Sequence, residues 1–166
     1  MRYNTNIIGI VIMEIFITPK IITQKCRYAL RAIFELANRQ SAQPVKISDI
    51  ASSQDISPRF LENILLELKH GGFVASKRGN DGGYFLSQRP ENLTVGQIIA
   101  FVQGTAKNDV LEPTPQISCR NGDYAFSHLW QRLNDSIASV YNQVTFADLV
   151  NEEAMAVKSY VPNYVI

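Results

Sequence analysis

The chain has 166 residues, 46% of them apolar, and a formal net charge of +1. That is enough apolar material for one domain with a real core, alone or with an oligomerisation arm, and it excludes a disordered tail. A charge this close to zero offers no bulk attraction for a polyanion, so any nucleic-acid surface has to come from locally clustered cations. The N-terminal segment, residues 1–19, carries an apolar run from Ile7 to Ile17 behind Arg2. Glu14 interrupts the run, no small-x-small cleavage pattern follows, and it is shorter than the ~20 residues of a membrane span. It reads as a strand or arm packed on the body or on a partner subunit, with export and a translation start at Met13 as the alternatives; no membrane association is expected.

From Thr23 to Arg39, Cys26, Ala29, Leu30, Ile33, Phe34 and Ala37 recur at three- and four-residue intervals, which predicts an amphipathic helix capped by Thr23. Lys25, Arg27, Arg31 and Arg39 lie on its other side, a solvated face or one that touches phosphates. Two helix starts then follow closely. Ser48 is expected to cap a short helix to Ser53, and Ser57, with Pro58 at the first helical position, opens a longer one after the connection Gln54-Asp55-Ile56. In the longer helix Phe60, Leu61, Ile64, Leu65 and Leu68 form the buried side, Arg59, Glu62 and Asn63 are exposed near its start, and Gly71-Gly72 stops it. This is a helix-turn-helix pattern, which many folds without a nucleic-acid role also contain.

The next stretch narrows the choice. Phe73, Val74 and Ala75 lead as a strand into Ser76, and Tyr84, Phe85 and Leu86 return. The turn between them contains Gly79, Gly82 and Gly83, which tolerate positive φ. A hairpin directly after the second helix makes a winged helix-turn-helix, with Lys77 and Arg78 at the wing tip lying along the backbone or in the minor groove while the helix enters the major groove. The competing reading is a solvated hairpin whose charges protect its edge from aggregation.

Further along, Thr94 and Gln97 form a capping box, Leu93 and Ile98 a hydrophobic staple, and a helix runs to Gly104. Residues 105–123 are polar and rich in turn formers. Phe126, Trp130, Leu133, Ile137, Val140 and Val144 then recur by four and three, a coiled-coil-like seam along a long helix. The helix could lie on its own domain, but with a compact winged helix already built, packing against a second copy is preferred. A homodimer would set two recognition helices about one turn of DNA apart, on a palindromic operator in double-stranded DNA. Thr145 and Asp148 begin a short terminal helix, TFADLV. The expected fold class is mainly α with a small β-hairpin wing. Its organisation is an N-terminal extension (1–19), a DNA-binding domain (20–104), a polar loop (105–123), a dimerisation helix with the short terminal helix (124–150), and a tail (151–166).

The runs QKCRYALRAIFELA, ISDIASSQDISPRFLENILLELKHGGFVASKRGNDGGYFLS and LTVGQIIAFVQG together resemble the Rrf2 family of winged-helix transcriptional regulators, over about residues 20 to 150. The resemblance implies that Ser57, Arg59 and Glu62, with Asn63 beside them, lie on the helix face that enters the major groove. There Glu62 can accept a hydrogen bond from cytosine N4, and Arg59 can reach a phosphate or a guanine edge. It implies that Arg78 is the wing arginine of a minor groove and that Gly82-Gly83-Tyr84 sets the wing geometry. Asn80-Asp81 departs from the family's usual proline and glycine, and Asp81 brings a negative charge to a phosphate-facing loop.

The resemblance also makes the polar segment 105–123 a sensor-type loop. Cluster-binding members of the family supply three cysteines to an iron-sulfur centre. Here Cys119 remains, His128 resembles the histidine ligand, and Pro113 and Ala125 stand at the other two places. No cofactor is therefore expected. The alternatives are a centre shared between two chains through Cys119 and His128, or a thiol redox switch at Cys119; His128 otherwise reads as a helix residue near Trp130, and Cys26 as packing. Two cysteines are also too few for a disulfide framework and fit a reducing, cytoplasmic setting.

With only His70 and His128 as histidines, and no phosphate loop, H-E-x-x-H or G-x-S-x-G motif, no enzyme is expected. The function predicted is that of a dimeric, sequence-specific repressor or activator, responsive to a small effector or a regulatory protein. A winged-helix protein-interaction module is the alternative.

Overall fold

In the computed structural model, residues 22–39, 43–79, 81–104 and 123–159 are described. The N-terminal extension, Cys119 and nearly all of the 105–123 loop lie outside them. The elements in order are α1 (Gln24–Arg39), α2 (Ile47–Gln54), α3 (Pro58–His70), β1 (Val74–Lys77), β2 (Gly83–Leu86), a 3-10 turn (Pro90–Asn92), α4 (Val95–Gln103), α5 (Asp123–Gln143) and α6 (Phe146–Ser159). This is the mainly helical fold with one antiparallel hairpin that the sequence predicts.

Helix α1 is the centre of the body and packs on α2, α3, α4, α6 and β2. Its start is capped as expected, with the Cys26 N–H donating to Thr23 Oγ1 at 3.2 Å. Cys26, Ala29, Ala32, Ile33 and Leu36 are buried, whereas Leu30 and Phe34 are only half-buried at its margin. Beneath it lie Ile50 from α2, Leu61, Ile64, Leu65 and Leu68 from α3, Leu93 and Ile98 around the start of α4, and Phe146 at the start of α6. Phe60 is an exception to the predicted buried set. It stays 43% exposed, its ring edge-on to Tyr28 of α1 with centroids 5.6 Å apart.

The helix-turn-helix is shaped by local backbone chemistry. Position Lys46, not Ser48, is the N-cap of α2; Ser48 sits one residue inside the helix and its hydroxyl donates to Asp49 Oδ1. At the other end Asp55 adopts φ 51° and ψ 51°, a left-handed conformation that its short polar side chain tolerates, and this turns Ile56 into the core. Helix α3 ends in a Schellman motif. The Gly72 N–H donates to the Lys69 carbonyl and the Phe73 N–H to the Leu68 carbonyl, with Gly72 at φ 76°.

The wing pairs Val74 with Leu86, Ala75 with Phe85, Ser76 with Tyr84 and Lys77 with Gly83. It gains a third, one-residue strand that the sequence reading lacks. Val45 and Tyr84 exchange two hydrogen bonds, both 2.8 Å, so β2 is the middle strand. Of the turn glycines only Gly79 has positive φ, at 112°. Gly82 and Gly83 serve close approach instead. A Cβ on Gly83 would lie 2.4 Å from the Val45 carbonyl oxygen, and one on Gly82 would lie 2.5 Å from that of Lys77. Tyr84 and Leu86 pack on the core, while Phe85 faces outward, 40% exposed.

The Thr94–Gln97 capping box forms in both directions, and Leu93 and Ile98 are both fully buried. A second box opens α6. The Asp148 N–H donates to Thr145 Oγ1, Asp148 Oδ2 accepts from the Thr145 N–H and hydroxyl, and those bonds hold the exposed carboxyl below its usual pKa. The two helix starts are joined by a one-pair bridge between Thr94 and Thr145. Helix α6 then continues to Ser159, well past the short TFADLV element expected, and takes in much of what reads as tail.

One buried charge ties α1 to α2. Glu35 is 6% exposed and accepts from Gln54 Nε2 at 2.8 Å and from Arg39 Nε; Gln54 Oε1 in turn accepts from Arg31 Nε at 3.1 Å. Burial pushes the Glu35 carboxyl up, but the hydrogen bonds from Gln54 and Arg39 and the Arg39 charge outweigh it and leave its pKa lowered. A carboxyl whose pKa falls on folding contributes full stability above its unfolded value, and that stability is lost as pH drops through the folded one. Glu35→Ala is expected to cost about 1–3 kcal/mol at neutral pH by leaving Gln54 and Arg39 unpartnered. Urea titrations at several pH values should show the gap to the parent closing in the acid range; a constant gap would contradict this account.

Candidate nucleic-acid interface

Helix α3 has two braced flanks and one open face. On the first flank Lys25 of α1 pairs with Glu67 at 2.6 Å, and Tyr28 meets Phe60. On the second, Lys69 Nζ donates to Ser76 Oγ of β1 at 2.7 Å, fixing the wing strand to the helix. The underside is the buried row Leu61, Ile64, Leu65 and Leu68. Between the flanks run Arg59, Glu62, Asn63, Leu66 and His70, all exposed. Residues three, four and seven apart share one side of an α-helix, so Arg59, Glu62, Asn63 and Leu66 form a single strip about 10 Å long.

Of the predicted recognition residues, Arg59, Glu62 and Asn63 lie on this strip. Ser57 occupies the N-cap position and is exposed, and its hydroxyl makes no capping bond. Lys77 and Arg78 are exposed at the end of β1 and the start of the turn, followed by Gly79. Asp81 is exposed in the same turn, three residues after Arg78 in the chain. Among the described residues the ion pairs are Lys25–Glu67 and Arg39–Glu35, which leaves Arg59, Lys77 and Arg78 unneutralised. The cations of α1 are different. Lys25, Arg31 and Arg39 are bonded to Glu67, Gln54 and Glu35, so they brace helix packing and do not form a free basic face.

Sequence reasoning passed over four residues that contribute to the site. Val45 supports the wing from its outer side, Lys69 and Ser76 link wing to helix, and Leu66 completes the strip. Only Leu66 left a signal, as an apolar residue seven positions after Arg59 on the side opposite the core row.

The long helix α5 carries the predicted seam in the open. Phe126 is 60% exposed, Trp130 39%, Leu133 40% and Val140 57%, and Ile137 is half-buried. Val144 is not part of that seam. It follows the end of α5, packs on the core, and its carbonyl accepts from the Val95 N–H. His128 is exposed on α5, and among the described residues no cluster of three His, Cys, Asp or Glu side chains could hold a metal ion. Cys26 is fully buried, and burial raises its thiol to about 11, which suits packing. No helix among the described residues is long and apolar enough to cross a membrane.

The model of the Rrf2 family, described as iron-dependent transcriptional regulators, matches residues 22–152. The chain is 35% identical over 133 residues to the HTH-type transcriptional regulator IscR of Pectobacterium atrosepticum, covering 80% of each protein. It is 34% identical to IscR of Escherichia coli, covering 80% of this chain and 81% of that one. Among solved structures it is similar to the global cysteine regulator CymR of B. subtilis, with a TM-score of 0.68, 30% identity, and coverage of 79% of this chain and 96% of that one. It is also similar to T. potens IscR, with a TM-score of 0.66, 30% identity, and coverage of 81% and 89%. These relatives are regulators of transcription and not enzymes, and the chain belongs to the Rrf2 family of winged-helix, DNA-binding transcriptional regulators.

Proposed function

We propose that the protein binds a palindromic double-stranded operator as a twofold dimer in the cytoplasm, with residues 20–104 as the DNA-binding unit. The strip of α3 enters the major groove and the wing rests on the adjoining backbone and minor groove. The observation that carries this reading is the strip itself: a polar face on α3, closed on both flanks by packing and left open toward solvent beside two unneutralised wing cations. Glu62 and Asn63 offer groove-reading polar groups, Arg59 a guanine or phosphate contact, Ser57 a phosphate contact, and Lys77 and Arg78 the wing's charge. Gly79, Gly82, Gly83 and Tyr84 hold the turn that presents them. With so small a net charge, specificity depends on these few residues.

Titrating the protein with its own upstream DNA at two salt concentrations should give tight, salt-sensitive binding. Arg59→Ala and Glu62→Ala should each cost about 1–3 kcal/mol on the cognate site and relax base preference, whereas Arg78→Ala should weaken all sites alike and lower the salt slope by about one. A specific complex unchanged by all three variants would remove this face from consideration, and absent binding would favour a protein-interaction module.

The seam Phe126, Trp130, Leu133, Ile137 and Val140 supports dimerisation, since an apolar row this exposed on a 21-residue helix suits burial against its twofold mate. Leu133→Asp should yield a folded monomer with sharply weakened operator binding, read by sedimentation velocity; a variant that stays dimeric would place the interface elsewhere.

The donor set does not fit a conventional thiolate-held iron-sulfur cluster. The chain has two cysteines, and Cys26 is buried with a raised thiol pKa, so each protomer offers one further thiol, Cys119, together with the exposed His128. We therefore assign regulation to an effector or a protein partner acting without such a cluster. Protein purified without oxygen should be colourless and free of stoichiometric iron and sulfide by elemental analysis; a brown, iron-loaded preparation would reverse this assignment.

A further inference from the structure

The four apolar residues of α3 that face the core are at most 2% exposed, yet Leu66 on the same helix is 48% exposed. At 100° per residue Leu66 points within about 20° of Arg59, 40° of Glu62 and 60° of Asn63, almost opposite the core row. It is not at the margin of the strip but at its middle. Phe60, the other exposed apolar residue of α3, has its ring against Tyr28. Leu66 has no aromatic partner and is not among the half-buried side chains packed on the core. A single exposed leucine is ordinary on a protein surface; what distinguishes Leu66 is that it shares one side of α3 with Arg59, Glu62 and Asn63, so whatever meets those polar groups also meets its aliphatic side chain.

The rise from Arg59 to Leu66 is about 10 Å, or three base-pair steps, so a helix that brings Arg59 and Glu62 to base edges also brings Leu66 into the groove. The apolar group that a B-form major groove presents is the C5-methyl of thymine. We infer that Leu66 is a specificity-determining residue that packs on a thymine methyl in each half-site, three base pairs or fewer from the position read by Glu62. The inference rests on α3 being the DNA-reading helix.

The test uses deoxyuridine, which pairs as thymine does and lacks only the methyl. An operator recovered by selection from random duplexes is rebuilt with one symmetry-related thymine pair at a time replaced by deoxyuridine, and affinity is measured for the parent dimer and for Leu66→Ala. Leu66 is exposed and alanine is the best helix former, so the variant should keep its melting temperature and dimeric state. For one thymine pair the parent should lose about fourfold per methyl, on the order of tenfold for the two half-sites, while Leu66→Ala should bind the thymine and deoxyuridine operators equally. Three results would overturn the assignment: a parent indifferent to every replacement, a Leu66→Ala variant that keeps the full loss, or a consensus with no thymine within three base pairs of the position altered by Glu62→Ala. If Arg59→Ala and Glu62→Ala behave as expected and the deoxyuridine series shows nothing, Leu66 alone is misassigned; if those two variants change nothing, the reading of α3 itself has failed.

Discussion

If α3 reads DNA as proposed, its position governs how the protein does so, and that position is held from three sides. Below, four aliphatic side chains are nearly or fully removed from water, each contributing about 1.5–3 kcal/mol of burial. Sideways, Lys25 and Tyr28 of α1 hold one flank and Ser76 of the wing holds the other through Lys69. The individual side contacts are exposed and weak, in the range of surface ion pairs and solvent-screened hydrogen bonds. Their value is directional: with both flanks occupied, one strip of the helix remains available to a partner, and the wing cannot drift away from it.

Charge is divided along the same lines. The chain has nearly as many acids as bases, which would seem to defeat a nucleic-acid binder. Yet the acids near α1 neutralise cations that stabilise the body, while Arg59, Lys77 and Arg78 have no carboxylate partner among the described residues. A near-neutral protein can thus keep unpaired cations on the face proposed to meet DNA without strong attachment to any polyanion it meets. Asp81 in the wing turn moves further in that direction.

Much of this was legible in the sequence because the signals are local. Pro58, with its fixed φ at the first helical position, marks the start of α3 although Ser57 makes no side-chain cap, while Gly71-Gly72 marks its end and Thr94 with Gln97 the start of α4 through bonds made within a few residues. Ser48 misled because the backbone enters α2 two residues earlier, directly after the Val45 bridge, and a one-residue strand has no periodicity to detect. Gly82 and Gly83 were recognised as special for the wrong reason: they admit neighbouring backbone, a property of pairing across the wing and not of φ. The length of α6 was underestimated although Glu, Ala and Met, all good helix formers, fill its second half. The braces of α3 link residues 7, 32 and 42 apart, and the register of the two distant pairs is set only when the core assembles.

The coupled starts of α4 and α6 have a mechanical corollary. Beside the Thr94–Thr145 bridge, Gly96 lies so close to Asn142 that a Cβ there would sit 2.0 Å from the amide oxygen, which pins the final turn of α5 to the body. A helix of 21 residues extends about 31 Å from such a pivot. Swinging it by ten degrees carries the distant tip about 5 Å, more than one base-pair step, so in the proposed dimer a slight repacking around Gly96 would be geared up into a large change in how far apart the two molecules hold their wings.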